Sequence, residues 1–240
     1  YGGSTVPPFQ SDGNLFFCPA GELGRIGENV PGATTLAGWQ AMSGKDQNSI
    51  ALKPFTIVKT MMRVDLPAAL ASGGKVTFSL AWKYRLNPSK GSAFRTSYEI
   101  FEKDQNALYV IAQWFPRLAA YTDYTGWQHK QYLGTGEFTL EFGDYDVRLT
   151  VPDDHVVAAT GTLENAASVL SAAQRERLQK AETSARPVFI VTPDEARTLE
   201  SHRPAGTKTW AFRAENVRDF AFASSRRFIW DAMGAAGHTH

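Results

Sequence analysis

The sequence contains only one cysteine, Cys18, so it cannot form an internal disulfide bond. It also lacks an excess of charge of one sign, because 25 Lys and Arg residues stand against 24 Asp and Glu residues. This balance gives no electrostatic reason to expect nucleic acid or an anionic membrane surface as a partner. No apolar run approaches the roughly 18 residues that a membrane-spanning helix needs, so no membrane span is predicted. The first ten residues lack the basic start and apolar middle of a signal peptide, although a trimmed chain could still have been exported.

Motifs of the common catalytic centres are missing as well. There is no HExxH pair on a helix, no GxSxG turn, no phosphate-binding loop and no dinucleotide fingerprint. Cys18 has no evident base beside it and is interpreted as a packed or idle thiol rather than a nucleophile. His238 and His240 could bind a metal loosely, but they are interpreted as part of a chain end. The residues alone therefore indicate no catalytic centre and no cofactor in this chain.

The composition favours a globular β protein. Hydrophobic residues make up 43% and aromatic residues 12% of the chain, which is enough for a substantial core. Residues 1–54 are rich in Gly, Pro, Ser, Asn and Thr without periodicity, and they predict an irregular segment or long loop. Residues 55–233 predict a mainly β domain with one or two short inserted helices. Residues 234–240 predict a disordered tail.

Period-two alternation of apolar residues marks the predicted strands. It runs from Val58 to Leu66 and again from Val76 to Leu86, and the segment 87–92 predicts a turn after the second run. Farther on, 138–151 predicts a hairpin around a Gly143-Asp144 turn, with Phe142 opposite Tyr145 and both apolar rows on one face. Pro152 is expected to end this hairpin's second strand.

Two helix signals interrupt the later strands. Ser171 and Gln174 fit a capping box, and the good helix formers after them predict a helix to about residue 183. Thr192 followed by Pro193 predicts a second, short helix. Strands are predicted at Val188–Val191, Thr207–Arg213 and Asp219–Trp230.

One polar side chain stands out in an apolar row. Tyr109, Ile111, Gln113 and Phe115 are expected to share one face of a strand, so Gln113 is either a structural amide bonded to a neighbouring loop or a ligand contact at a strand end. A set of aromatic residues could line a sugar site but is more typical of core and loop anchors; these residues are Trp114, Tyr121, Tyr124 and Trp127. Asp123 could hold their loop by local side-chain bonding to the backbone.

Three ordered blocks carry a resemblance to a known family. They read "AQWFPRLAAYTDYTGWQ" (112–128), "GTGEFTLEFGDYDVRLTVPDDHVVAATGTL" (134–163) and "FRAENVRDFAFASSRRFIWDA" (212–232). Together the match covers roughly Thr60 to Met233. In these blocks the chain resembles the N-terminal domain of bacterial M1-type zinc metallopeptidases, the aminopeptidase N-like gluzincins.

The resemblance implies a saddle-shaped β-sandwich that packs against a thermolysin-like catalytic domain. That domain would carry the zinc and its ligands, would follow Met233 and would be the main partner of this chain. The resemblance also implies that Gln113 helps to hold the free amino terminus of a peptide substrate, although this chain is shorter than the family pattern between Gln113 and the following Arg117 and Asp123. A periplasmic or cell-envelope location would fit such a protein.

Two further expectations follow from a missing catalytic domain. The chain alone should be inactive, and it should expose an apolar patch, in the Phe220–Trp230 segment or the 113–124 loop, that drives self-association. The alternative from a different class is a free-standing β-sandwich that binds or adheres through exposed aromatic residues.

Overall fold

The computed structural model describes residues 10–11, 55–58, 60–66, 68–77, 82–89, 95–130, 139–201, 204–235 and 238–239. The chain forms two compact units, whereas the sequence-based boundaries treat 55–233 as one domain. The first unit comprises Tyr1–Asp12, Arg85–Pro116 and Leu140–His240, and the second comprises Gly13–Tyr84 and Arg117–Thr139. The fold class is mainly β with a few short helices, as the sequence predicts.

The first unit contains a four-stranded antiparallel sheet in the order β1-β9-β13-β11. Its strands are β1 (Gln10–Ser11), β9 (Gly143–Pro152), β11 (Thr162–Leu163) and β13 (Thr207–Val217). The two long strands pair along their length, with Trp210 opposite Leu149, and a bulge interrupts β13 between Ala214 and Val217. The alternating residues predicted to face inward along β9 are its more buried ones, so this part of the pattern is confirmed.

A second sheet of the same unit has the order β10-β14-β6-β5-β4. Its strands are β4 (Asn87–Pro88), β5 (Thr96–Ile100), β6 (Ala107–Ile111), β10 (Val156–Ala159) and β14 (Phe222–Ser225). Both sheets contribute to one hydrophobic core. Leu149, Trp210 and Phe212 enter it from the first sheet, and Ile111, Val157 and Phe222 from the second. Two sheets that share an apolar core in this way form a sandwich-like layer pair.

The described residues of the first unit include three helices: α1 (Ala166–Val169), α2 (Ala172–Ala181) and α3 (Pro193–Ser201). The Ser171 side chain accepts the Gln174 N–H at 3.3 Å and the Gln174 side chain accepts the Ser171 N–H at 2.9 Å, so the predicted capping box is present. Thr192 and Glu195 make the same reciprocal pair at the start of α3. None of the described helices is long and apolar enough to cross a membrane.

Two further strand pairs lie in the described part of the first unit. The predicted strand Val188–Val191 is confirmed as β12, and it pairs with β15 (Trp230–Ala232). β16 (Gly234–Ala235) pairs with β17 (His238–Thr239), which differs from the disordered tail that the composition predicts. Gly161 has φ +88°, and a Cβ there would lie 2.3 Å from the Arg213 carbonyl oxygen, so this turn before β11 requires glycine.

The second unit contains two described hairpins. In the first, β2 (Phe55–Val58) pairs with β3 (Met61–Val64), with Val58 opposite Met61. The prediction of one strand from Val58 to Leu66 is therefore wrong, because the chain reverses between Val58 and Met61. In the second, β7 (Tyr121–Thr122) pairs with β8 (Gly126–Trp127).

The predicted hairpin around Gly143-Asp144 is also wrong. Gly143 is the first residue of β9 and lies opposite Val217, while Phe142 precedes the strand and is exposed. The alternation on both sides of Gly143 is real, but β9 takes its partner from β13, more than fifty residues later. A ten-residue antiparallel ladder provides more backbone hydrogen bonds than the short local hairpin would.

Other strand limits differ from the prediction. The described parts of 76–86 are not strand, and Asn87–Pro88, predicted as a turn, pairs in parallel with β5. The predicted strand 219–230 is broken into β14 and β15 by a turn at 226–227. Within 1–54 only Gln10–Ser11 is described, as a strand, and the rest of that predicted loop lies outside the described residues.

Candidate functional site

Gln113 lies just beyond the end of β6, where the backbone is fixed on both sides. On one side the Ala112 N–H donates to the Arg95 carbonyl at 2.9 Å, and the Thr96 hydroxyl donates to the Ala112 carbonyl. On the other side the Trp114 indole N–H donates to the Phe220 carbonyl at 3.0 Å. These bonds tie the residues before and after Gln113 to neighbouring segments of the first unit.

Between these anchors Gln113 has a left-handed backbone, with φ +54°. This conformation is uncommon for a residue with a long side chain and costs free energy relative to a β or α conformation. It also breaks the alternation, so Gln113 does not continue the β6 row of Tyr109 and Ile111 as the sequence predicts. The Gln113 side chain is half-buried and has no hydrogen-bond partner among the described residues. The structure thus presents an amide that is held in position and unused.

The aromatic residues predicted near Gln113 separate into two sets. Trp114 belongs to the core of the first unit, where its ring meets those of Phe115 and Phe222 edge-to-face at 5.2 and 5.6 Å. Tyr121 and Trp127 belong to the second unit and remain exposed. The interpretation as a core anchor holds for Trp114, and the sequence alone could not separate it from the others because all are aromatic residues at similar spacing.

A buried polar cluster, consisting of Asp154, His155, Ser224 and Arg226, was not predicted. Asp154 and His155 lie between β9 and β10, Ser224 lies in β14, and Arg226 follows β14. Asp154 has 0% exposure, and the Arg226 Nε lies 3.3 Å from its Oδ2. Neither oxygen of Asp154 has a hydrogen-bond partner among the described residues. Burying a carboxylate is expensive, so the ion pair with Arg226 is the main compensation that this cluster offers.

His155 is 5% exposed, and its Nδ1 lies 2.9 Å from the Ser224 hydroxyl. Burial lowers the pKa of His155 to about 4, and the positive charges of Arg226 and Lys208 act in the same direction against the opposing effect of Asp154. The imidazole is therefore neutral at pH 7. Burial likewise raises the pKa of Tyr109, whose ring centre lies 5.9 Å from that of His155.

A serine, a histidine and an aspartate in one cluster suggest nucleophilic catalysis, but the geometry argues against it. Ser224 is only 1% exposed and lies within β14, so a substrate has no access to its hydroxyl. The Ser224–His155 bond instead ties β14 to the β9–β10 connection. The cluster is best explained as a structural network that joins the ends of three strands.

The next arginine has a similar structural role. Arg227 pairs with Asp104 and, at 3.3 Å, with Glu200, and Glu200 in turn accepts a hydrogen bond of 3.1 Å from the buried Asn106. Successive arginines at 226–227 thus hold the turn that separates β14 from β15. The two successive Arg residues after Ser224-Ser225 are visible in the sequence and suggest ion pairs at this turn. The sequence does not show which distant acidic residues they pair with.

Among the described residues, no group of three or more His, Cys, Asp or Glu side chains could hold a metal ion. Cys18, His202 and His240 lie outside the described residues, and the side chain of His238 is not described. Comparisons of the chain with protein-family models, with curated proteins and with solved structures find no significant match.

Proposed function

We propose that this chain is the non-catalytic N-terminal domain of a zinc metallopeptidase similar to the M1, aminopeptidase N-like family. Two of the three resembling blocks supply β9–β11 and β14–β15 together with the second half of β13. Those strands provide much of the shared core, so the resemblance falls on residues that build the sandwich rather than on loops. The zinc and its ligands would belong to a catalytic domain outside this chain, and the role of this domain would be to scaffold that catalytic domain.

The observation that carries the functional part of the proposal is the state of Gln113. A strained backbone, fixed neighbours and an unpartnered amide are together typical of a residue kept for a ligand rather than for the fold. In the proposed role its amide oxygen accepts a hydrogen bond from the α-ammonium group of a peptide substrate. A hydrogen bond to a charged group is worth about 1.5–3 kcal/mol, and the fixed backbone lowers the cost of ordering the side chain.

The large apolar side chains left exposed on the first unit also support a missing neighbour. Phe220 and Phe222, at the start of the segment 220–230 where an apolar patch is expected, are buried. Phe142, Phe189 and Ile229, the last of which lies in that segment, are among the exposed apolar residues of this unit. Under this proposal a catalytic domain would cover part of this apolar surface, and self-association would cover it in isolation.

The test uses the whole polypeptide that contains this chain, with Gln113 replaced by Ala. We expect kcat/KM for substrates with a free amino terminus to fall about tenfold to a hundredfold, as the lost bond implies. The rate on N-acetylated substrates should change little. Equal losses on both substrate types would contradict the amine-binding role.

Gln113→Gly is the matched control for backbone strain. Glycine adopts the left-handed conformation without cost, whereas alanine is strained there. The unfolding free energy of Gln113→Gly should therefore exceed that of Gln113→Ala by about 1 kcal/mol. It should nevertheless lose the same selectivity for free amino termini. If only Gln113→Ala lost selectivity, the effect would come from the backbone rather than from the amide.

The alternative function, from a different class, is that of a free-standing β-sandwich that binds or adheres through exposed aromatic residues. The exposed aromatic residues of the second unit, Tyr121, Tyr124 and Trp127, favour this alternative. They could bind a ligand in a peptidase domain as well as in a free-standing module.

A further inference from the structure

The segment 120–129 of the second unit forms a hairpin whose shape depends on its own residues; we refer to it as the aromatic hairpin. The Gln128 N–H donates to the Ala120 carbonyl at 2.8 Å and closes the pair of strands. The Gln128 side-chain amide donates to the hydroxyls of Thr122 and Thr125 and to the Gly126 carbonyl. Gly126 has φ +70°, which glycine adopts without strain. These local bonds, rather than the predicted bonding of Asp123, hold the loop.

The hairpin uses these bonds to present aromatic rings to solvent. Tyr124 at its tip is 83% exposed, and Tyr121 and Trp127 are 58% and 52% exposed. The rings of Tyr121 and Trp127 meet edge-to-face with centres 5.3 Å apart, so each restrains the other. Tyr and Trp have few rotatable bonds, and an ordered pair of them offers a large contact surface at a low entropic cost of binding. Three exposed aromatic rings on one short hairpin indicate a contact surface.

The chemistry of the hairpin narrows the ligand. Its exposed groups are aromatic rings and polar side chains, with no Leu, Ile, Val or Met between residues 121 and 129. Asp123 lies between Thr122 and Tyr124, is exposed and has no partner among the described residues. Its carboxylate can accept two neighbouring hydroxyl hydrogens of one ligand. Exposed ring faces and a hydroxyl acceptor on one short hairpin match a sugar ring, which has a C–H face and a rim of hydroxyl groups.

We propose that the aromatic hairpin binds a neutral saccharide. A pyranose ring stacks on the face of Trp127 or Tyr124, and Asp123 accepts hydrogen bonds from two of its hydroxyls. A protein partner fits less well, because the hairpin lacks the Met and Arg side chains that accompany aromatic residues in protein interfaces. An anionic membrane fits less well too, since the hairpin itself has no Lys or Arg between residues 118 and 129. The inference does not depend on the proposed peptidase relationship.

Affinity electrophoresis tests the proposal with the whole chain in native gels. The gels contain xylan, glucomannan, hydroxyethyl cellulose or dextran, and a gel without polysaccharide is the reference. We expect retardation by at least one of these, and about tenfold weaker binding for Trp127→Ala and for Tyr124→Ala. Trp127→Phe keeps a ring and should recover part of the binding, whereas Asp123→Asn should weaken it.

Phe189→Ala is the matched control, because Phe189 is an exposed aromatic residue of the first unit. It should bind polysaccharide like the unaltered chain. The hairpin variants should melt within a few degrees of the unaltered chain, since their side chains are exposed. The proposal is overturned if no polysaccharide retards the chain, if the hairpin variants are retarded as strongly as the parent, or if Phe189→Ala weakens binding equally. Binding only to anionic vesicles or to other proteins would overturn it too.

Discussion

Lowering the pH should destabilise the first unit through His155. The folded protein holds this imidazole neutral because burial lowers its pKa to about 4, whereas an unfolded histidine has a pKa near 6.5. Above pH 6.5 neither state binds the proton, so the shift has no effect there. Between pH 6.5 and 4 the unfolded state binds a proton that the folded state does not, so stability falls as the pH falls through this window.

The two pKa values set the size of the effect. Titration of His155 alone lowers the unfolding free energy by about 2–3 kcal/mol at pH 4.5 relative to pH 7.5. Urea unfolding at both pH values measures the change. His155→Gln is the control, because the amide can still bond to Ser224 but does not titrate. On acidification the parent should lose about 2–3 kcal/mol more unfolding free energy than the variant.

The result that would refute this reasoning is an equal loss in parent and variant. It would mean that the folded protein binds the His155 proton at nearly the same pH as the unfolded chain, as an imidazole accessible to water does. A direct NMR titration of the His155 ring would then show a midpoint near 6.5 rather than about 4.

Two further substitutions test how the first unit is held together. Arg226→Met should cost about 3–5 kcal/mol of unfolding free energy because it leaves Asp154 buried without its charge partner. Adding Asp154→Leu to this variant should recover much of the loss. An unchanged urea midpoint for Arg226→Met alone would refute the role of the pair. Gly161→Ala should lower the unfolding free energy by more than about 2 kcal/mol, since the added Cβ would meet the Arg213 carbonyl and the left-handed backbone would be strained. If this variant melted within a degree of the parent, the turn would have shifted to accept the added Cβ.

Local signals in the sequence predicted local structure well. The capping box at Ser171, the helix start at Thr192 and the alternation along β9 are confirmed, because each depends on residues within one element. The choice of strand partners depends on distant residues instead. The alternation on both sides of Gly143 could not show that β9 would pair with β13, and the Val58–Leu66 alternation could not show that the chain turns after Val58.

The candidate sites show the same limit. Gln113 is visible in the sequence as a polar residue in an apolar row, but its left-handed backbone depends on bonds to other segments. Asp154 and Arg226 are separated by about seventy residues, so nothing local predicts their pairing. The division of the aromatic residues into core and exposed sets likewise depends on how distant strands meet.

The most direct test of the proposed function is mass spectrometric sequencing of the native polypeptide, isolated from its source with an antibody against this chain. The proposal predicts a polypeptide well above 26.4 kDa, with an HExxH sequence within about two hundred residues after Met233. A native protein that ends near His240, or that continues without a zinc-ligand motif, would contradict the relationship to a metallopeptidase.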